Sequence, residues 1–175
     1  VTYNVTLGKQ YPIKDIEIIL PAHGEFAADF LSDTASVTIK TGSILSESAL
    51  EKETERASTA MRNMGYYTFN KNHFFFEADT LSVPGSALLK MTVNEYTRNE
   101  SPKDAEPIRK FYFNEVSIDY PKTLKSKTKV LKGLNTIIPG EVYSESQVNN
   151  TYSRLSALRT FSSVNVGMTQ SDTNH

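Results

Sequence analysis

The 175-residue sequence predicts an α+β fold of tandem β-α-α-β-β units. Each unit is expected to form a three-stranded mixed sheet, in order 1-3-2, covered on one face by two helices. Three observations predict this. GSILSES at residues 42–48 returns as GEVYSES at residues 140–146. Each copy is preceded by a period-2 apolar segment stopped by a proline, Pro21 or Pro121, and proline lacks the N–H that a strand ladder needs. Each copy is also followed by an amphipathic helical pattern and a second alternating segment.

In the first copy Ile16, Ile18 and Leu20 point one way while Glu17 and Ile19 point the other, the pattern of a sheet with one covered face. In the second, Val116, Ile118 and Tyr120 alternate with Glu115, Ser117 and Asp119. Short helices are expected around Glu25–Ser32 and Leu124–Lys132. The repeated heptapeptide comes next. Gly42 and Gly140 supply a turn that a side chain would obstruct. Ser46 and Ser144 stand at helix N-caps, where a hydroxyl accepts a bond from an orphan N–H. Ser144 with Gln147 would complete a capping box; Ser48 with Glu51 offers an alternative start in the first copy.

The helix after each cap carries one apolar face: Leu50, Ala57, Met61 and Met64 in the first, Val148, Tyr152, Leu155 and Leu158 in the second. Gly65 ends the first. Phe74, Phe76 and Ala78 then alternate with His73, Phe75 and Glu77, and Val164, Val166 and Met168 with Asn165, Gly167 and Thr169. A turn at Pro84-Gly85 leads to a third strand with Leu89, Met91 and Val93 inward. The second copy has no third strand within this sequence.

VTYNVTL (1–7) alternates as the third strand does and reads as the last strand of a preceding unit. The expected organisation is therefore residues 1–8 as that strand, 9–97 as a complete unit, 98–108 as a polar linker, and 109–175 as a unit lacking its third strand. The sequence opens in mid-pattern and is read as a piece of a longer protein.

Cysteine is absent, which excludes disulfides and thiolate metal sites. The net charge of −1 argues against a dedicated nucleic-acid binder. It is uneven: residues 1–108 carry 10 Lys/Arg against 15 Asp/Glu, and residues 109–175 carry 9 against 5. His23, His73 and His175 have no metal-ligand spacing. Neither a G-x-S-x-G, a G-x-G-x-x-G nor a Walker loop occurs. Capping accounts for Ser46 and Ser144, and neither has a nearby histidine. The sequence thus points away from an enzyme and implies no cofactor. Lys125, Lys129 and Lys132 form a stripe at i, i+4 and i+7, either a solvated helix face or a contact for acidic headgroups or an acidic partner.

The unit resembles the POTRA (polypeptide-transport-associated) domain. The resemblance is carried by GSILSES, RNMGYYTFN and FFFEADT in the first copy, and by FNEVSIDYP, GEVYSESQV and LSALRTFSSVNVGM in the second. It covers nearly the whole chain. The long segment after Pro21, AHGEFAADFLSDTASVTIKT, departs from the pattern. Tandem copies look like the periplasmic arm of BamA- and TamA-type outer-membrane protein assembly factors of the surface antigen family.

The resemblance implies a location on the periplasmic side of the outer membrane of a Gram-negative bacterium. It implies unfolded outer-membrane proteins or accessory assembly subunits as partners, a C-terminal barrel of the parent chain in the outer membrane, and binding by edge-strand addition. The edge would be His73–Asp79, with His73, Phe75 and Glu77 toward the client. A passive spacer that positions partners near the barrel is the alternative. An RNA-binding, ferredoxin-like sheet is a third reading, which the acidic first half opposes. Strand exchange, with Val1–Leu7 of one molecule entering the second copy of another, is also expected.

Overall fold

Two compact units emerge in the computed structural model, which describes residues 8–22, 24–97, 99, 101–103, 105–120, 128–158 and 163–171. The first comprises residues 1–62 and 68–109, the second residues 63–67 and 110–175. VTYNVTL (1–7), and with it the expected strand exchange, lies outside the described residues.

In the first unit the chain runs β1 (Ile13–Ile19), α1 (Phe26–Ser32), α2 (Glu47–Asn63, its last residue counted with the second unit), β2 (Phe74–Asp79) and β3 (Ala87–Val93). The sheet order is β1-β3-β2, with β1 parallel and β2 antiparallel to β3. This is the α+β, 1-3-2 arrangement that the sequence predicts. A β-bulge interrupts β1: Ile13 pairs with Ala87 and Asp15 with Leu88, so Lys14 has no partner in β3. The surplus residue restores parity. It lets Ile13 face the core together with Ile16 and Ile18, while Glu17 and Ile19 face the other way.

The covered face carries Ala87, Leu89, Met91 and Val93 of β3, all buried. Four aromatic rings close the core. Phe26 and Phe30, one turn apart on α1, lie 5.8 Å from each other. Phe69 sits 4.9 Å from Phe26 and 5.5 Å from Phe74, and Phe74 sits 6.2 Å from Phe30. Helix α2 adds Ala57 and Met61, both buried.

The same helix face also buries a charge. Glu53, only 2% exposed, accepts the backbone N–H of Thr38 at 2.8 Å and the Thr38 hydroxyl at 2.6 Å. Arg56 bridges it at 2.6 Å to Asp33, 2.5 Å away on the other side. The segment that departs from the POTRA pattern is thereby tied at both Asp33 and Thr38 to α2.

The repeated heptapeptide is a clip. In the first unit Ile13 donates to the Ser43 carbonyl (2.8 Å), Gly42 to Ile13 (2.7 Å) and Leu45 to Tyr11 (2.9 Å). The second unit makes the same three bonds: Phe113 to Glu141 (2.9 Å), Gly140 to Phe113 (2.6 Å) and Tyr143 to Phe111 (2.9 Å). Both turns need φ near +90°, and Gly42 (89°) and Gly140 (87°) supply it. The Thr38 tie is duplicated too. Thr136 donates its N–H to the Thr151 hydroxyl at 2.9 Å, so Thr151 stands where Glu53 stands in the first copy.

The second unit holds α3 (Thr128–Leu134) and α4 (Glu145–Ala157). Phe113, Ile137 and Tyr143 form its core, with Phe111, Val116, Val148 and Met168 against it. Val116, Ile118 and Tyr120 alternate in burial with their neighbours, as do Val164, Val166 and Met168. Among the described residues, however, neither segment belongs to a sheet. The 1-3-2 order explains this difference from the expectation. In that order strands one and two both bond to the third and not to each other, standing about 10 Å apart, beyond hydrogen-bonding reach.

Two local expectations are corrected. Tyr152 is exposed and Thr151 takes the inward position, because Val148, Thr151, Leu155 and Leu158 follow the helical repeat more closely. The Ser144–Gln147 capping box does not form. Instead, Asn63 Oδ1 accepts the Ser146 N–H at 2.8 Å and the Ser144 hydroxyl at 3.2 Å, while Gln147 reaches Glu141 at 3.2 Å. In the first copy Ser46 does cap, accepting the Ala49 N–H at 3.3 Å. Asn63→Ala is therefore expected to cost the α4 terminus about 1 kcal/mol. Faster hydrogen exchange of the first-turn amides of α4 would show it, and unchanged rates would remove Asn63 from the cap.

Candidate functional site

Strand β2 is an outer strand of the sheet, and among the described residues it forms a ladder with β3 alone. The phase of that ladder is set at one end, where Asn94 donates its backbone N–H to the His73 carbonyl at 3.0 Å. In an antiparallel pair bonded residues alternate. Residues 75, 77 and 79 therefore bond toward β3, while the N–H and C=O of Phe76 and Ala78 turn outward. The other outer strand, β1, is different: its outward groups at Tyr11 and Ile13 are taken by the clip.

The uncovered face of the sheet is ordered in three rows. Phe75 pairs with Thr92, and Thr92 with Ile19; Glu77 with Lys90, and Lys90 with Glu17; Asp79 with Leu88, and Leu88 with Asp15. Phe75 is half-buried against Tyr96, ring centroids 5.6 Å apart. Lys90 Nζ reaches Glu77 at 3.2 Å, and Glu77 remains largely exposed. The two acidic rows line an open depression of about 450 Å³, with Asp15, Glu17, Glu77, Asp79, Leu88 and Lys90 around it. Asp79 also opens the β2–β3 turn. Its carboxylate accepts the Leu81 N–H (2.8 Å), the Ser82 N–H (3.0 Å) and the Ser82 hydroxyl. The Ser82 hydroxyl foremost, and then the two N–H groups, hold its pKa below the usual carboxylate range.

Of the residues singled out in the sequence, Phe75 and Glu77 do share this face. His73 does not. It is buried, stacked on Phe69 at 5.0 Å, with Nδ1 3.0 Å from the Asn94 carbonyl oxygen. The alternation fails there because residues 71–73 form a 3₁₀ turn and the strand begins at Phe74. Lys129 and Lys132 are exposed on α3 in the second unit; Lys125 lies outside the described residues. Gly42, Ser46, Gly140 and Ser144 belong to the clip and helix starts. Gly65 has φ 109°, and a Cβ there would stand 2.5 Å from Val142 Cγ1. Asp79 and Lys90 were missed in the sequence, although their place in the alternation of β2 and β3 was readable. Among the described residues no three His, Asp or Glu side chains gather where a metal ion could be held.

No family model matches the sequence, and no curated protein matches it. Solved structures do. A crystal structure of Haemophilus influenzae BamA POTRA3-5 superposes with a TM-score of 0.60 at 13% identity, over 94% of this chain and 57% of that one. BamA from Haemophilus ducreyi lacking POTRA domains 1-3 superposes with a TM-score of 0.63 at 16% identity, over 93% of this chain and 27% of that one. The chain thus spans between about a quarter and three-fifths of the structures it resembles. Its fold is of the POTRA type.

Proposed function

We propose that this POTRA-type chain is a periplasmic module of an outer-membrane β-barrel assembly factor, and that it receives extended polypeptide segments on the outer edge of β2. The supporting observation is that edge: a strand bonded to β3 alone among the described residues, with the N–H and C=O groups of Phe76 and Ala78 directed away from the sheet. Such an edge accepts a guest backbone with little regard to sequence, because the ladder uses only groups that every residue carries. Residues 9–97 are the complete unit in this reading, 98–108 the linker and 109–175 a second unit. Partners are unfolded outer-membrane proteins or accessory subunits, and the parent chain continues to a barrel. The module binds and does no chemistry.

Titration with extended outer-membrane-protein peptides, followed by amide NMR, tests this. Shifts concentrated at residues 74–79 are expected. Shifts confined to the helices would dismiss strand addition.

A further inference from the structure

The charge order of the uncovered face gives the edge a preference, on the premise of strand addition at β2 stated above. We infer that the guest favoured by β2 is a basic amphipathic strand: Lys or Arg at two alternate positions, an aromatic or β-branched residue at the next, and apolar residues between.

A guest strand beside β2 extends each row by one residue, about 4.8 Å away. The middle row already alternates in sign, Glu17–Lys90–Glu77. A cation opposite Glu77 continues the alternation, whereas an anion there would face Glu77 directly with Lys90 already engaged at 3.2 Å. The next row ends in Asp79, an exposed carboxylate that is charged at neutral pH and held in place by the Leu81 and Ser82 N–H groups. The third row ends in Phe75, set against Tyr96, which favours an aromatic or β-branched neighbour. On the covered face the guest meets Phe76 and Ala78, both apolar.

The geometry sharpens the charge term. Because the backbone groups of Phe76 and Ala78 make the ladder, an antiparallel guest meets Glu77 at a non-hydrogen-bonded position, where side chains approach most closely. Across the three strands four carboxylates (Asp15, Glu17, Glu77, Asp79) stand against two ammonium groups (Lys14, Lys90), so the field over the edge is negative as well. The occupant this selects is a polypeptide strand of complementary charge.

The test uses the 175-residue chain and blocked hexapeptides, Phe-Val-Lys-Val-Lys-Val and its Glu counterpart, each made in both chain directions. At low salt the Lys peptide is expected to shift the amides of residues 74–79 and to bind about ten-fold tighter than the Glu peptide. The preference should fall below about two-fold in 0.5 M NaCl. The double variant Glu17→Gln/Glu77→Gln should lose most of it while the amides of Met61 and Phe69 keep their positions. Should that variant fold poorly, the salt series on the unaltered chain decides alone. Equal binding of both peptides at residues 74–79 would overturn the charge preference and leave strand addition standing. Tighter binding of the Glu peptide would overturn the preference as well. Failure of every peptide to perturb β2 would remove strand addition, and this inference with it.

Discussion

Phe74→Ala is expected to destabilise the first unit by about 3–5 kcal/mol, the usual cost of deleting a buried phenyl ring. Phe74 is 0% exposed, and its ring is shared among Phe30, Phe69 and Phe76. Phe30 and Phe69 are each also held against Phe26, which limits how far they can move into the space. A domain of this size holds about 5–15 kcal/mol in total. The melting temperature of the unit should therefore fall by more than about 12 °C. Phe75→Ala is the control. Its ring is half-buried on the uncovered face and has Tyr96 as its aromatic neighbour, so about 1 kcal/mol is expected. Circular dichroism melts of the two variants compare them directly. If Phe75→Ala were the costlier change, the assignment of the two faces of β2 would be wrong.

The second large effect is at Glu53. Glu53→Ala should cost about 3 kcal/mol, near the lower bound for breaking a buried ion pair, because Arg56 keeps Asp33 as a partner and is itself about a quarter exposed. The loss leaves the Thr38 N–H without its acceptor, and the segment from Asp33 to Thr38 loses one of its two ties to α2. Burial alone would raise the pKa of Glu53. Hydrogen bonds from Arg56 and from the hydroxyl and N–H of Thr38 outweigh it, so the pKa lies below the ordinary 4.5.

A folded-state pKa below the unfolded one gives stability that is present above about pH 4.5 and is lost as pH falls through the lower folded value. Urea midpoints measured from pH 7 downward should therefore fall more steeply in acid for the parent than for Glu53→Gln. Parallel profiles would show that Glu53 does not carry the acid sensitivity.

Much of this was readable in the residues. The strands of the first unit were legible because β2 and β3 alternate along their whole length and β1 alternates from Asp15 onward, and the strand order followed from their directions. The repeated glycine-serine stretch marked both helix starts. What the seven letters did not reveal was their reach. The likeness extends back to Thr38-Ile39 and Thr136-Ile137, where both isoleucines are buried and both threonines are tied to the following helix. The tie is hard to read from sequence because its acceptor changes type, carboxylate at Glu53 and hydroxyl at Thr151.

His73 was misplaced because period-2 reading has no means of seeing a 3₁₀ turn abutting a strand. Asn63 as the cap of α4 was invisible for a different reason, since an acceptor more than eighty positions away leaves no local pattern. The edge of β2 was legible as an edge. Its charge rows were not, because they depend on register across three strands, which alternation within any one of them does not fix.

Lys14 has one more consequence, for how the sequence can change length. Anywhere else in β1, losing a single residue would turn the following side chains over, sending isoleucines to water and carboxylates inward. At Lys14 the loss would merely straighten the backbone, since Ile13, Asp15 and Ile16 would then already fall in-out-in. The unit thus has one place where a codon can disappear and the hydrophobic pattern survive, and relatives one residue shorter in this strand should have their gap there.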